Sequence, residues 1–244
     1  MGFESERLLV VSAHAADFVW RAGGVIASYL EKGAQVNVVV LSLGVRGESN
    51  DLWKKEGQTY ESVAATREAE SRAAAAELGL TPEMMEYWHK TDYPINITDE
   101  DRERLVRKIR DFRPTVIISH DEYDILNPDH DAVNKFVFMC SVMANSAGVR
   151  TEGQKVTKQM KVLGFEPHQT EISHYKPDVI VDITSVYEKK ARAMECFKAQ
   201  SHLIEYYKNR CSLRGNHARR ISGCNDYKYA ESFSSHFPFV VTMI

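Results

Sequence analysis

Residues 8–19 read LLVVSAHAADFV. The run 8–12 opens on four apolar residues with no polar alternation, the pattern of a strand covered on both faces in a parallel sheet. From Phe18 onward, apolar residues recur at 18, 22, 25, 26 and 29, which is one face of a helix, and Gly33 stands where such a helix ends. A second β-branched run follows at 36–41, VNVVVL. Strand, short turn, helix and strand in that order predict a βαβ crossover, and with it an α/β fold.

The same alternation continues outward from this unit. Residues 43–57 are polar and carry glycines, as a loop does, and 60–78 is an alanine- and glutamate-rich helix closed by Gly79. Residues 84–89 read as a third strand. The sequence TDED at 98–101 resembles a capping box, opening a helix that stops near Phe112, before Pro114. TVIIS at 115–119 is the next strand, 120–128 a loop, and 129–145 a helix. A flexible connection is expected at 146–158. Strands follow at 161–165 and 179–183, a helix at 186–200 capped by Thr184 and Ser185, and a second helix at 203–213. Aromatic residues at helical spacing in 227–233 predict a last helical turn. The expectation is a single domain over 1–244: a mostly parallel, Rossmann-like sheet flanked by helices. Its core half is 1–145, and 146–244 is a C-terminal elaboration.

A chain of 244 residues with 43% hydrophobic and 27% charged residues is ordinary for a globular protein, which excludes disordered and fibrous classes. The net charge of −3 does not suggest a nucleic-acid surface, and no apolar run approaches the roughly 20 residues that cross a bilayer. The opening MGFESERLLVV has the form of neither a secretory nor a transit segment. Cys140, Cys196, Cys211 and Cys224 form no C-x-x-C pair and read as free thiols of a reducing cytoplasm.

Two short stretches carry chemistry. SAHAAD at 12–17 follows the first strand and opens the first helix, and NPDH at 127–130 follows TVIIS and opens another. In open α/β sheets ligands bind at the carboxyl ends of strands, so His14, Asp17 and His130 are expected on one edge. Two histidines and an aspartate suit catalytic zinc, and iron(II) or another divalent ion as well. The alternative is that His14, Asp17 and Asp129 only cap their helices.

The chain resembles the LmbE/PIG-L family of zinc-dependent deacetylases over about 8–233. The likeness rests on these two motifs, on Arg67-x-x-Glu70, and on YAESF at 229–233. The resemblance implies that His14, Asp17 and His130 hold the metal. It also exposes departures: the family's general base falls on Ala16, and its oxyanion-stabilising histidine on Asn127. An alanine cannot accept a proton, so the deacetylase mechanism lacks its base while the metal ligands remain.

Within the family, VVSAHAADFVWRAGG at 10–24, RGES at 46–49, FEPHQ at 165–169 and DITSV at 182–186 resemble the 4-oxalomesaconate hydratases of gallate degradation. That resemblance implies a hydro-lyase adding water to a conjugated C=C of an oxo-polycarboxylate. Glu48, in a loop after the second strand, is then the base, and His168 the acid, since imidazole titrates near neutrality. Arg46, Asn127 and His120 are expected to contact substrate, Arg46 by gripping a carboxylate. The competing reading is an amide hydrolase with Glu48 as base. The expected partner is a small polycarboxylate rather than a nucleic acid or membrane, and relatives suggest a homo-oligomer.

Overall fold

The computed structural model describes residues 5–240. The opening residues 1–4, read above for a leader, lie outside that range.

The apolar run at the chain's start takes a central position in the sheet. Strand β1 (Arg7–Ser12) pairs in parallel with β2 (Gln35–Ser42) on one side and β4 (Val116–Ser119) on the other. Further out lie β3 (Met85–Lys90), β5 (Lys161–Phe165), β6 (Val179–Asp182) and β7 (Ala230–Ser235). Among the described residues the seven strands form one sheet in the order β3-β2-β1-β4-β5-β7-β6. Strands β1 to β5 run parallel, and β7 is antiparallel to both β5 and β6. The α/β, mostly parallel architecture is therefore as the sequence pattern led one to expect.

Helices cover both faces, and strand parity decides which residue meets which layer. Leu8, Val10, Val38, Val40, Ile118 and Phe165 face one layer. That layer is built from α1 (Asp17–Glu31), α3 (Tyr60–Leu78), α6 (Tyr187–Glu195) and α7 (Ile204–Ser222). Leu9, Val11, Val39, Leu41 and Ile117 face α4 (Asp99–Phe112) and α5 (Pro128–Asn145). A one-turn helix α2 (Asn50–Trp53) interrupts the loop after β2. The capping box at Thr98 and Asp101 is formed.

Three expectations for the C-terminal part are corrected. Residues 227–233 are not helical, because Ala230–Ser235 is the strand that joins β5 to β6. Tyr227, Tyr229 and Phe233 are separated by two and four residues, a spacing that a strand satisfies too. Helix α6 ends at Glu195 and gives way to a 3₁₀ turn over Lys198–Leu203, in which Gln200 is non-helical. Helix α7 runs past Leu213 to Ser222. Gly215 is required inside it, because a Cβ there would lie 2.0 Å from Lys228 O.

One buried ion pair shapes helix α1. Lys190 Nζ, from α6, donates to Trp20 O (2.8 Å) and to Glu231 Oε1 (2.5 Å). The Glu231 carboxylate, from β7, accepts from Gly24 N and Val25 N, both at 2.8 Å. In a regular helix Gly24 N–H would pair with Trp20 O. Each group instead has a side-chain partner, and Gly24 lets Ile183 approach to where a Cβ would stand 2.6 Å away. The YAESF stretch thus serves to clamp α1 against the sheet.

Candidate metal centre and active site

Because β1, β2, β3, β4 and β5 are parallel, the loops after them all open at one edge. His14 and Asp17 follow β1, Glu48 follows β2, and Asp92 and Tyr93 follow β3. His120, Asp124, Asn127 and His130 follow β4, and His168 follows β5.

The first loop is set by its own backbone. Ser42 Oγ and Ser42 N donate to Ala13 O at 3.0 and 2.9 Å, and Ser12 Oγ donates to His14 O at 2.7 Å. His14 N donates to Asp17 Oδ2 at 2.8 Å. Neither aspartate considered as a helix cap is one. The N-cap positions of α1 and α5 are Ala16 and Asn127, with no capping side chain. Asp129 accepts instead from Tyr93 N and Ile95 N, both at 2.9 Å.

Ligand atoms of His14, Asp17, Glu48 and His130 lie within 4.8 Å of one another. His14 Nδ1 sits 3.3 Å from Asp17 Oδ2 and 3.2 Å from Glu48 Oε1, and His130 Nε2 sits 3.5 Å from Asp17 Oδ1. His14 Nδ1 and His130 Nε2 are buried without a hydrogen-bond partner. The other nitrogen of each ring meets a carboxylate: His14 Nε2 at 3.3 Å from Asp129 Oδ2, and His130 Nδ1 at 2.9 Å from Asp124 Oδ2. Carboxylate–histidine pairs with the far nitrogen free are how proteins orient imidazoles toward a metal. The donor set fits a divalent cation.

The electrostatics agree. Burial would lower His14, but Glu48, Asp129 and Asp17 together raise it well above the usual imidazole value. Burial would raise Asp17, yet His130 and His120 hold it well below the carboxylate range. Glu48, raised by burial, is brought down to about 2, chiefly by His14. Such a concentration of carboxylates calls for a cation.

Of the residues expected at the substrate, the structure brings together Glu48, Asn127 and His168, which line a cavity of about 210 Å³ with Tyr93, Gln200 and His202. Asn127 Nδ2 donates to Glu48 Oε1 at 3.1 Å. Two others lie elsewhere. Arg46 is exposed and does not line the cavity, because the loop turns its backbone inward: Arg46 N and Gly47 N donate to buried Asp92 at 2.9 and 2.7 Å. His120 is buried beside Asp17 and His130, its Nε2 accepting from Ala13 N (2.9 Å) and its ring stacked on His130 at 3.9 Å. Burial, then His130, push it down to about 3, so it is a neutral prop beneath Asp17.

His168 differs from expectation in its charge. Burial and then Arg21 lower its pKa, against the pull of Asp124. Arg21 Nη2 lies 2.8 Å from His168 Nδ1, while Asp124 Oδ2 lies 3.1 Å from the same nitrogen. The ring is therefore neutral at pH 7. Sequence reading missed Arg21 and Asp124, which together tie α1, the β4 loop and the β5 loop. Arg21 is spaced i+4 from Asp17 on α1 and lies 3.6 Å from it, a helical signal that was present in the sequence. Arg214, from α7, is buried on Glu166 at 2.6 Å.

The PIG-L family, described as GlcNAc-PI de-N-acetylase, matches residues 9–141. The chain is 39% identical to a 4-oxalmesaconate hydratase of Pseudomonas putida, over 98% of this chain and 93% of that one. The crystal structure of GalB, the 4-carboxy-2-hydroxymuconate hydratase from P. putida KT2440, superposes with a TM-score of 0.93 at 39% identity, covering 98% of this chain and 99% of GalB. N,N'-diacetylchitobiose deacetylase from Pyrococcus horikoshii shares the fold, with a TM-score of 0.77 at 20% identity over 96% and 85% of the two chains.

Proposed function

The chain belongs to the PIG-L family, and we propose that it is a metal-dependent hydro-lyase adding water to the conjugated C=C of 4-oxalomesaconate. The observation that carries this reading is the likeness to hydratases over the whole length of both chains, at 39% identity. The site adds chemical support: metal-type donors are retained, and position 16, where the deacetylases carry a base, is an alanine.

His14, Asp17 and His130 are the residues to hold the ion, and zinc is the metal this donor set suits first, with iron(II) the alternative. A divalent ion there supplies a Lewis acid and lowers the pKa of water bound to it. Glu48, ionised to about pH 2 and held by Asn127, accepts the proton of the attacking water. His168 faces the same cavity as a neutral imidazole. With Nδ1 beside Arg21, its proton is placed on Nε2, to be given to the carbon that becomes carbanionic. Water's oxygen then bonds to one alkene carbon and hydrogen to the other. Proton exchange with solvent returns Glu48 to carboxylate and His168 to its starting form.

Among the described residues no helix is long and apolar enough to cross a membrane. Cys140, Cys196, Cys211 and Cys224 are free thiols, which supports a cytoplasmic location. A homo-oligomer is proposed by analogy with relatives. The test is a two-substrate assay on metal-analysed protein. With 4-oxalomesaconate the absorbance of the conjugated enol should fall. N-acetylglucosaminides should release no acetate. The reverse result would move the chain to the amide hydrolases.

A further inference from the structure

A tricarboxylate substrate needs donors for its carboxylates, yet no arginine or lysine lines the 210 Å³ cavity. The inference that follows rests on the hydratase reading for its substrate. Gln200 lines that cavity although it is 94% buried, being only 6% exposed. Its amide cannot turn freely. Arg67 Nη2 donates to Gln200 Oε1 at 2.6 Å, which fixes oxygen toward Arg67 and the amide nitrogen away from it.

Arg67 is itself immobilised. It is fully buried, donates to Leu43 O at 3.3 Å, and pairs with Glu70 at 3.0 Å. Glu70 Oε1 in turn accepts from Ala199 N at 2.9 Å, pinning the backbone beside Gln200. Gln200 sits in the non-helical kink of the 3₁₀ turn, at φ −129° and ψ 31°. Its Nε2 reaches Glu48 Oε2 only at 3.5 Å, a long contact that engages at most one hydrogen. The second amide hydrogen has no acceptor among the described residues.

We infer that Gln200 is a substrate-binding, specificity-determining residue that donates Nε2–H to a carboxylate of the substrate. Arg67 aims this amide and polarises it. A hydrogen bond from a guanidinium to the amide oxygen strengthens the amide's own N–H as a donor in a low-dielectric surrounding. The buried arginine thus delivers positive field to the cavity without exposing a charge. A fixed neutral donor next to Glu48 has a further use. It holds an anion near the base without forming an ion pair that would tie up Glu48. The Arg67-x-x-Glu70 motif acquires a role in this scheme: it orients the residue that reads the substrate.

The experiment compares the parent, Gln200→Met and Gln200→Glu. Tricarballylate, a saturated tricarboxylate, is titrated calorimetrically, and KM and kcat are measured for 4-oxalomesaconate. Gln200→Met should raise the tricarballylate Kd and the KM by roughly ten- to a hundredfold, with kcat changed by no more than about threefold. Gln200→Glu keeps an acceptor for Arg67, so it preserves the local fold, but it turns oxygen toward the substrate and should weaken binding more. Unchanged affinity in both variants would overturn the assignment. So would a loss confined to kcat, which would mean that Gln200 acts through Glu48, and so would a parent that does not bind tricarballylate at millimolar concentration. Absence of hydration with tricarballylate affinity still dependent on Gln200 would instead sink the hydratase reading and leave the anion site standing.

Discussion

One oxygen of Asp124 serves two imidazoles: Oδ2 lies 2.9 Å from His130 Nδ1 and 3.1 Å from His168 Nδ1. The carboxylate that holds the ring of His130 thereby also holds the β5 loop, since His168 N donates to it at 3.3 Å, and Arg21 Nη2 approaches it at 3.4 Å. Burial would raise Asp124, but His130, His168 and Arg21 hold it far below the usual carboxylate range.

Asp124→Asn should therefore damage two functions at once. Metal affinity should fall roughly 10- to 100-fold, as loss of such an orienting carboxylate typically does. The rate at saturating metal should also fall, because His168 loses a partner. Chelator competition alongside kcat at excess metal separates the two effects. A variant fully restored by excess metal would show that Asp124 does not matter to His168.

His14→Ala and His130→Ala should each abolish binding of one equivalent of zinc, and activity with it, since two remaining ligands rarely hold a catalytic ion. Full metal occupancy by mass spectrometry in both variants would remove the site.

Glu48→Gln should keep the metal and lower kcat by roughly 10²–10⁴-fold, the range of a positioned base. Since Glu48 is held near a pKa of about 2, its protonation should produce no acid limb above pH ~4. His168→Ala should reduce kcat as well. The parent should show no alkaline limb between pH ~6.5 and ~8, because a ring lowered from 6.5 is already neutral there and donates as Nε2–H. A rate that halves across that window would mean that the imidazolium is the working form.

Ala16→Asp should not create a better enzyme of either kind. Ala16 is 0% exposed and packed within the core under α1. A carboxylate there is buried, costing at least about 1 kcal/mol of stability. Hydration should slow, and N-acetylglucosaminides should still yield no acetate. Acetate release from this variant would show that the missing base alone separates the chain from its deacetylase relatives.

Glu166 offers a test of stability against pH. Burial would raise it, but Arg214 and Arg210 lower it, and Ser232 Oγ donates to it at 2.6 Å. A carboxylate lowered in the folded state stabilises fully above its unfolded value of ~4.3, and that contribution is lost as pH falls toward the folded value. Glu166→Gln should therefore lower Tm at pH 7, and the gap from the parent should close below pH ~4. A gap independent of pH would assign the effect to packing.

The sequence by itself determined the alternation of the main strands and helices through β4, and that His14, Asp17 and His130 share one edge of the sheet. LLVVS and TVIIS have the unbroken apolar pattern of buried strands, and parallel strands open their C-terminal loops at one edge, which places His14, Asp17 and His130 there. Glu48 and His168 were reached through the resemblance of their surrounding blocks. Only tertiary structure decided the rest. Asp124 on His168, Arg67 on Gln200, and Lys190 and Glu231 on the backbone of α1 join residues 44 to 207 positions apart, and no local period encodes such pairs. Arg46 had the right charge in the right loop. Its side chain nonetheless stays at the surface, because Asp92, 45 and 46 residues away, binds the backbone N–H groups of Gly47 and Arg46 and turns that backbone inward. The last strand was misread for the same reason: short aromatic spacings fit a helix and a strand alike, and only the open edges of β5 and β6 made residues 230–235 a strand.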